Sequence, residues 1–225
     1  MKKTLLFAAA LALGLHGQAA QEKTERWLDP SVNRVNAETL HSSYFAYESA
    51  SLAQEGNKAA SGRYMSLEGM WKFCWVKDHD KAPQGFQQVG FDDAQWVEFP
   101  VPGLFEMNGY GDRIYKNIGY AWNTQFDNNP PFVEEKNNYT GSYRREFSIP
   151  ADWKGQQIYM HVGSATSNLC VWIDGKEVGY SEDSKMEVEF DITKFVTPGQ
   201  KALFAMQVMR RSAFRSPHGR AGSHP

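Results

Sequence analysis

From Arg63 onward the chain is cut every eight to fifteen residues by Gly, Pro, Asn or Asp, and the stretches between are alternating or β-rich. That period reads as short strands joined by turns, the pattern of a β-sandwich. Met70 to Val76 places Trp71, Phe73 and Trp75 on one face of a strand, a large apolar surface pointing one way. Further strands are expected at Gly141 to Ile149, Gln157 to Val162, Met186 to Ile192 and Ala202 to Met209. The sharpest local signal is Leu169 to Ile173, then Asp174-Gly175, then Lys176 to Tyr180. Asp-Gly between two such runs specifies a tight hairpin, because both central residues need φ > 0 and these two types tolerate it. Helical periodicity is scarce, with one Asp-capped turn expected at Asp92 to Trp96. No strand-helix repeat occurs, and 225 residues fall short of the roughly 250 typical of a full (β/α)8 barrel. The fold class expected is all-β.

The first 20 residues read as a secretory signal. Lys2 and Lys3 precede an apolar run from Leu5 to Leu15, and its 11 residues are too short to span a bilayer, which takes roughly 20. Small residues follow, so the mature chain is expected to start near Ala20 or Gln21, exported across the inner membrane to the periplasm, with no membrane anchor. Export permits a disulfide between Cys74 and Cys170. Both lie inside apolar strand-like runs, where Cys more often packs as a small hydrophobe, and two buried thiols are the preferred expectation. A formal net charge of −2 gives no basic footprint for nucleic acid. The histidines are scattered without ligand spacing, so no metal site is expected.

Residues 21–62 carry Trp27, His41, Tyr44, Phe45 and Tyr47 without alternation and read as an extended arm that needs a surface to lie on. Residues 63–210 form the β body. From residue 211 the sequence holds Arg, Ser, Gly, Pro, His, Ala and Phe but no acid, and 211–225 reads as a disordered tail. Acid-base chemistry on a glycoside needs two carboxylates facing one substrate. The adjacent pairs Asp92/Asp93, Glu134/Glu135 and Glu182/Asp183 point to opposite faces of an extended backbone and read as solvated turn residues. No nucleophile elbow or phosphate loop is present. Asn138-Tyr139-Thr140 fits a glycosylation sequon. Between Asn123 and Tyr143, carboxamides sit on a backbone stiffened by Pro130-Pro131, with Trp122, Phe126, Phe132 and Tyr139 available to stack on a sugar ring. Chemistry alone favours an ordinary polar loop there.

Ordered motifs change that balance. Trp27-Leu28-Asp29-Pro30, Ser66 to Phe73, Val101-Pro102-Gly103-Leu104-Phe105-Glu106, Gly109 to Asp112 and Ile114 to Asn117 come first. Asn129-Pro130-Pro131-Phe132-Val133, Gly141 to Arg145, Gly163 to Ser167 and Gly179 to Lys185 follow. In this order the chain resembles the N-terminal sugar-binding domain of glycoside hydrolase family 2, and within it the β-galactosidases of Bacteroides-like bacteria. The resemblance implies a galactose-binding-domain-like jelly-roll β-sandwich beside a catalytic barrel that carries both catalytic glutamates, so no catalytic residue is expected in this chain. It implies that Asn129 is substrate-binding, reaching a neighbouring barrel's pocket to contact a β-galactoside or other carbohydrate. No cofactor is implied for this chain, although full-length members often use Mg2+ and Na+. The family pattern stops at Met209-Arg210, where Arg211 stands in place of Trp. The expectation is a fragment inactive alone, missing the barrel and the last strands, with an exposed edge. An independent lectin-like module is the alternative.

Overall fold

The computed structural model describes residues 26–113, 133–182 and 184–212. Nine strands run in chain order as β1 (Arg34–Val35), β2 (Gly69–Val76), β3 (Val97–Val101), β4 (Thr140–Ser148), β5 (Tyr159–Val162), β6 (Asn168–Ile173), β7 (Lys176–Ser181), β8 (Val188–Asp191) and β9 (Lys201–Met209). They build an antiparallel seven-stranded sheet of order β1-β7-β6-β9-β4-β2-β3 and a two-stranded sheet of β5 and β8. The architecture is the expected all-β jelly-roll sandwich. Its longest seam joins β4 to β9 over nine residue pairs, from Thr140 opposite Met209 to Ser148 opposite Lys201.

Alternation puts one face of each strand into a shared core. Trp71 and Phe73 of β2, Phe99 of β3, Tyr143 and Phe147 of β4, Leu169, Val171 and Ile173 of β6, and Phe204 and Met206 of β9 meet Met160, Val188 and Phe190 of the small sheet in one cluster. Trp75 shares the face of Trp71 and Phe73, as its spacing requires, but sits half-buried at the cluster's rim.

The β6–β7 hairpin turns at Asp174 (φ 48°) and Gly175 (φ 77°), both in the left-handed region the turn demands. Asp174 also ties the turn to β9. Its Oδ1 accepts from the Leu203 N–H at 2.8 Å, and its own N–H donates to the Leu203 carbonyl at 2.9 Å. At Gly179 the reason for glycine is closeness: a Cβ there would stand 2.5 Å from the Phe190 ring and 2.6 Å from the Val35 carbonyl oxygen.

The surface the arm needs belongs to the same chain. Trp27, only 2% exposed, packs with Tyr180 and Met209 on the outer face of the large sheet. Strand β1 then pairs with β7, Asn36 Nδ2 donates to the Val178 carbonyl at 3.0 Å, and the Glu38 N–H donates to the Glu189 carbonyl at 2.9 Å. The arm also holds a six-residue helix, α1 (Ala50–Glu55), which no periodicity announced because none of its residues is buried. Ser49 caps it by accepting from the Leu52 N–H at 3.3 Å.

Two expectations are corrected. Asp92 to Trp96 is a non-helical turn, in which the Asp92 carboxylate accepts from the Ala94 N–H at 3.0 Å. Cys74 and Cys170 form no disulfide and are half-buried rather than buried. They share one cross-sheet row through Ser142 and Gln207. Three strand spacings of about 4.8 Å separate them, roughly twice the reach of a disulfide between Cα atoms. Burial pushes the Cys74 thiol pKa up. Within the large sheet β4 and β6 flank β9 on both sides. Among the described strands its edge positions fall to the two-residue β1 and to β3, whose Pro100 an edge strand tolerates. No helix among the described residues is long and apolar enough to cross a membrane.

Candidate functional site

The expected binding residue, Asn129, lies outside the described residues, as do Trp122, Phe126, Pro130, Pro131 and Phe132. The residues on both sides of that segment are described, and both flanks are fixed to one end of the sandwich.

On the leading flank, the Asp112 carboxylate accepts a short hydrogen bond from the Tyr139 hydroxyl. Arg210, at the end of β9, donates through Nη2 to the Asp112 carbonyl at 3.3 Å and pairs with Glu106 at 3.4 Å. Its guanidinium carbon lies 4.8 Å from the Tyr139 ring centroid, a cation–π contact. Trp75 packs edge-on against the same ring at 5.3 Å, and Arg113 Nε donates to the Glu106 carbonyl at 3.3 Å. Burial, then the Asp112 bond, pushes the Tyr139 phenol pKa up, so the proton stays where Asp112 needs it.

On the returning flank, Val133 packs against Trp27, Tyr180 and Met209. The His79 N–H donates to the Glu135 carbonyl and the Asn137 N–H to the Asp78 carboxylate, each at 2.8 Å. Asn138 is fully buried and copies a strand partner: its Oδ1 accepts from the Arg211 N–H at 3.0 Å while its Nδ2 donates to the Arg211 carbonyl at 3.1 Å. Ser212 adds a 2.7 Å hydroxyl contact to Ser167. Arg211 and Ser212, which composition assigned to a disordered tail, are therefore fastened to the sandwich. Burial, with Arg210 alongside, lowers the Arg211 pKa to about 10.

Two sequence readings change here. Tyr139 is 3% exposed with its faces taken by Trp75 and Arg210, so it braces the segment and is closed to a sugar ring. The buried Asn138 amide spends its donor and acceptor on Arg211, so the sequon is structural.

The acidic pairs have separate tasks. Asp92 caps its turn, Asp93 holds the buried Arg144 at 2.6 Å, and Glu135 is exposed with its carbonyl bonded to His79. Glu182 departs from the solvated-turn expectation: it is 1% exposed and accepts a short bond from the Tyr180 hydroxyl, while Asp183 lies outside the described residues. No group of three or more His, Cys, Asp or Glu among the described residues can hold a metal ion. The brace of Tyr139, Asp112, Arg210 and Glu106 escaped sequence reading, since its members come from four segments with no shared spacing. The traces were Glu106 and Asp112, which close the Val101 to Glu106 and Gly109 to Asp112 motifs.

Residues 64–217 match the family model described as glycosyl hydrolases family 2, sugar binding domain. The β-galactosidase of Priestia megaterium is 32% identical over 184 residues, which cover 82% of this chain and 18% of that protein. The β-galactosidase of Halalkalibacterium halodurans is 35% identical over 187 residues, covering 83% and 18%. The chain therefore spans about 18% of the length of these relatives. Among solved structures, the β-glucuronidase of Ruminococcus gnavus aligns over 64% of this chain and 21% of its own, with 24% identity and a TM-score of 0.45.

Proposed function

Because this chain belongs to the glycosyl hydrolase family 2 sugar-binding domains, we propose that it is the non-catalytic carbohydrate-binding part of a retaining β-galactosidase. In this reading Asn129 is carried from the braced end of the sandwich to the rim of a sugar pocket, and the acid and nucleophile stand on a separate barrel domain. The observation that carries the reading is the double anchorage of the segment containing Asn129. Asp112 is clamped by Tyr139 and Arg210 before it, and Val133 and Asn138 are clamped by the Trp27 cluster and Arg211 after it.

A carboxamide suits the role because one Asn offers an acceptor and two donors to vicinal sugar hydroxyls. Such a contact works only if the amide is presented from a fixed base, since a bond made by a freely moving loop is offset by the entropy of ordering it. What supports this is that both described flanks, Asp112 and Val133, are held by the sandwich. Terminal β-galactosides are the substrate class proposed for the complete enzyme. Export to the periplasm is part of the same proposal, and a mature chain whose mass begins at Met1 rather than at Ala20 or Gln21 would count against it.

The test is a chimera of the Priestia megaterium β-galactosidase in which residues 26–212 of this chain replace the matching segment. Asn129→Ala in that chimera is expected to lower kcat/KM for a galactoside about tenfold or more, the loss of one or two substrate hydrogen bonds. An unchanged kcat/KM overturns the role of Asn129. Saturable, submillimolar galactose binding by the chain alone overturns dependence on a barrel and makes it a lectin.

A further inference from the structure

We propose that His41, His161 and Glu189 form a pH-dependent clasp that fastens the N-terminal arm across the outer face of the small sheet in acid and releases it in alkali. Beyond Glu38 the arm is held to this sheet by side chains. His41 Nε2 lies 3.1 Å from one oxygen of Glu189 on β8, and His161 Nδ1 on β5 lies 3.1 Å from the other. Just before β8, Glu187 receives the Ser43 hydroxyl at 2.5 Å and faces His161 Nε2 at 3.7 Å.

The ring nitrogens decide the charge state. His41 Nδ1 lies 2.9 Å from the Ser42 carbonyl, a pure acceptor, while Nε2 faces a carboxylate, another pure acceptor. A neutral imidazole carries one N–H and satisfies only one of these; the imidazolium satisfies both. His161 has one carboxylate at hydrogen-bond distance, Glu189 at 3.1 Å from Nδ1, with Glu187 farther off at 3.7 Å from Nε2.

The surroundings push the same way. The carboxylates of Glu38 on the arm, Glu187 and Glu189 and Asp191 on or beside β8 share this face with the phenols Tyr44 and Tyr159, and Lys194 offsets Asp191. The His41 imidazolium relieves their mutual repulsion. The Ser42 carbonyl, then Glu189, raises the His41 pKa from 6.5. A raised folded-state pKa gives a contribution that is complete below the unfolded value and fades as pH climbs through the folded one. The side chains are roughly one-quarter to one-half exposed, so water and salt damp the effect.

The test is the backbone 1H–15N heteronuclear NOE of residues 39–44 in the full chain at about pH 5.5 and about pH 8.5, either side of the ordinary histidine range. The clasped-to-open ratio is expected to fall about twofold to tenfold between them. Glu189→Gln should remove the pH difference while the β6–β7 hairpin stays unchanged. The pair His41→Gln with His161→Gln should give the open value at both pH values. Equal NOE values at both pH values in the wild type, or a difference that survives in either variant, overturns the proposal.

Discussion

Replacing Arg144 by methionine removes a buried side chain that binds the excursion between β2 and β3 to the outer face of the large sheet. Arg144 is 4% exposed. Its Nε holds Asp93 at 2.6 Å, Nη1 donates to the carbonyls of Phe86 and of Gln88, the latter at 2.8 Å, and Nη2 reaches the Phe91 carbonyl at 3.5 Å. Methionine fills much of the volume of the stem but returns none of these bonds. Truncating one partner of a buried ion pair costs about 3–5 kcal/mol. The Asp93 side chain keeps 28% of its exposure, so water recovers part of that and the lower end, about 3 kcal/mol, applies. For a domain of this size the loss corresponds to a Tm lower by about 6–12 °C. Urea denaturation followed by tryptophan fluorescence measures it, and Trp172, whose neighbour Phe86 sits at 5.5 Å, reports detachment of the excursion. Arg144→Lys keeps the charge but lacks the fork, so less than half the loss should be recovered. If Arg144→Met stays within about 0.5 kcal/mol of wild type, the size of a neutral surface change, the clamp is not what holds this segment.

Burial raises the phenol pKa values of Tyr143 and Tyr180 above the ordinary 10.0. Their contribution to stability is therefore complete below about pH 10 and is lost above it, and phenolate absorbance at 295 nm should rise in step with unfolding; smooth titration of all tyrosines in a folded chain would contradict this. Gly179→Ala forces a Cβ against Phe190 and the Val35 carbonyl. It should cost about 1–3 kcal/mol and loosen β1 from β7, read as faster amide exchange at Val35; unchanged exchange there would refute the close-approach argument.

The legible parts of the fold were those set by neighbours in sequence. Asp174-Gly175 specifies its own turn, and the Trp71, Phe73, Trp75 alternation specifies which face of β2 is buried, because both depend on residues within one strand or hairpin. Strand β3 was missed because Pro100 argues against a strand until its edge position is known. The arm's docking surface and the burial of Glu182 could not be read, since β7 and β8 lie more than a hundred residues from Arg34 and Ala37, and Tyr180, the hydrogen-bond partner of Glu182, packs against Trp27 of the arm. The site divides in the same way. Asn129 was singled out by the company of Pro130 and Pro131 and by resemblance, whereas the brace on the leading flank depends on contacts such as Arg210 to Asp112 that span 98 positions.

The decisive measurement is the release of chromophore when the purified chain is supplied with a chromogenic β-galactoside. A protein that only helps to shape a sugar pocket releases none above the rate of a mock preparation. Sustained release that co-purifies with the chain and disappears when one of its own carboxylates is replaced by an amide would contradict that role.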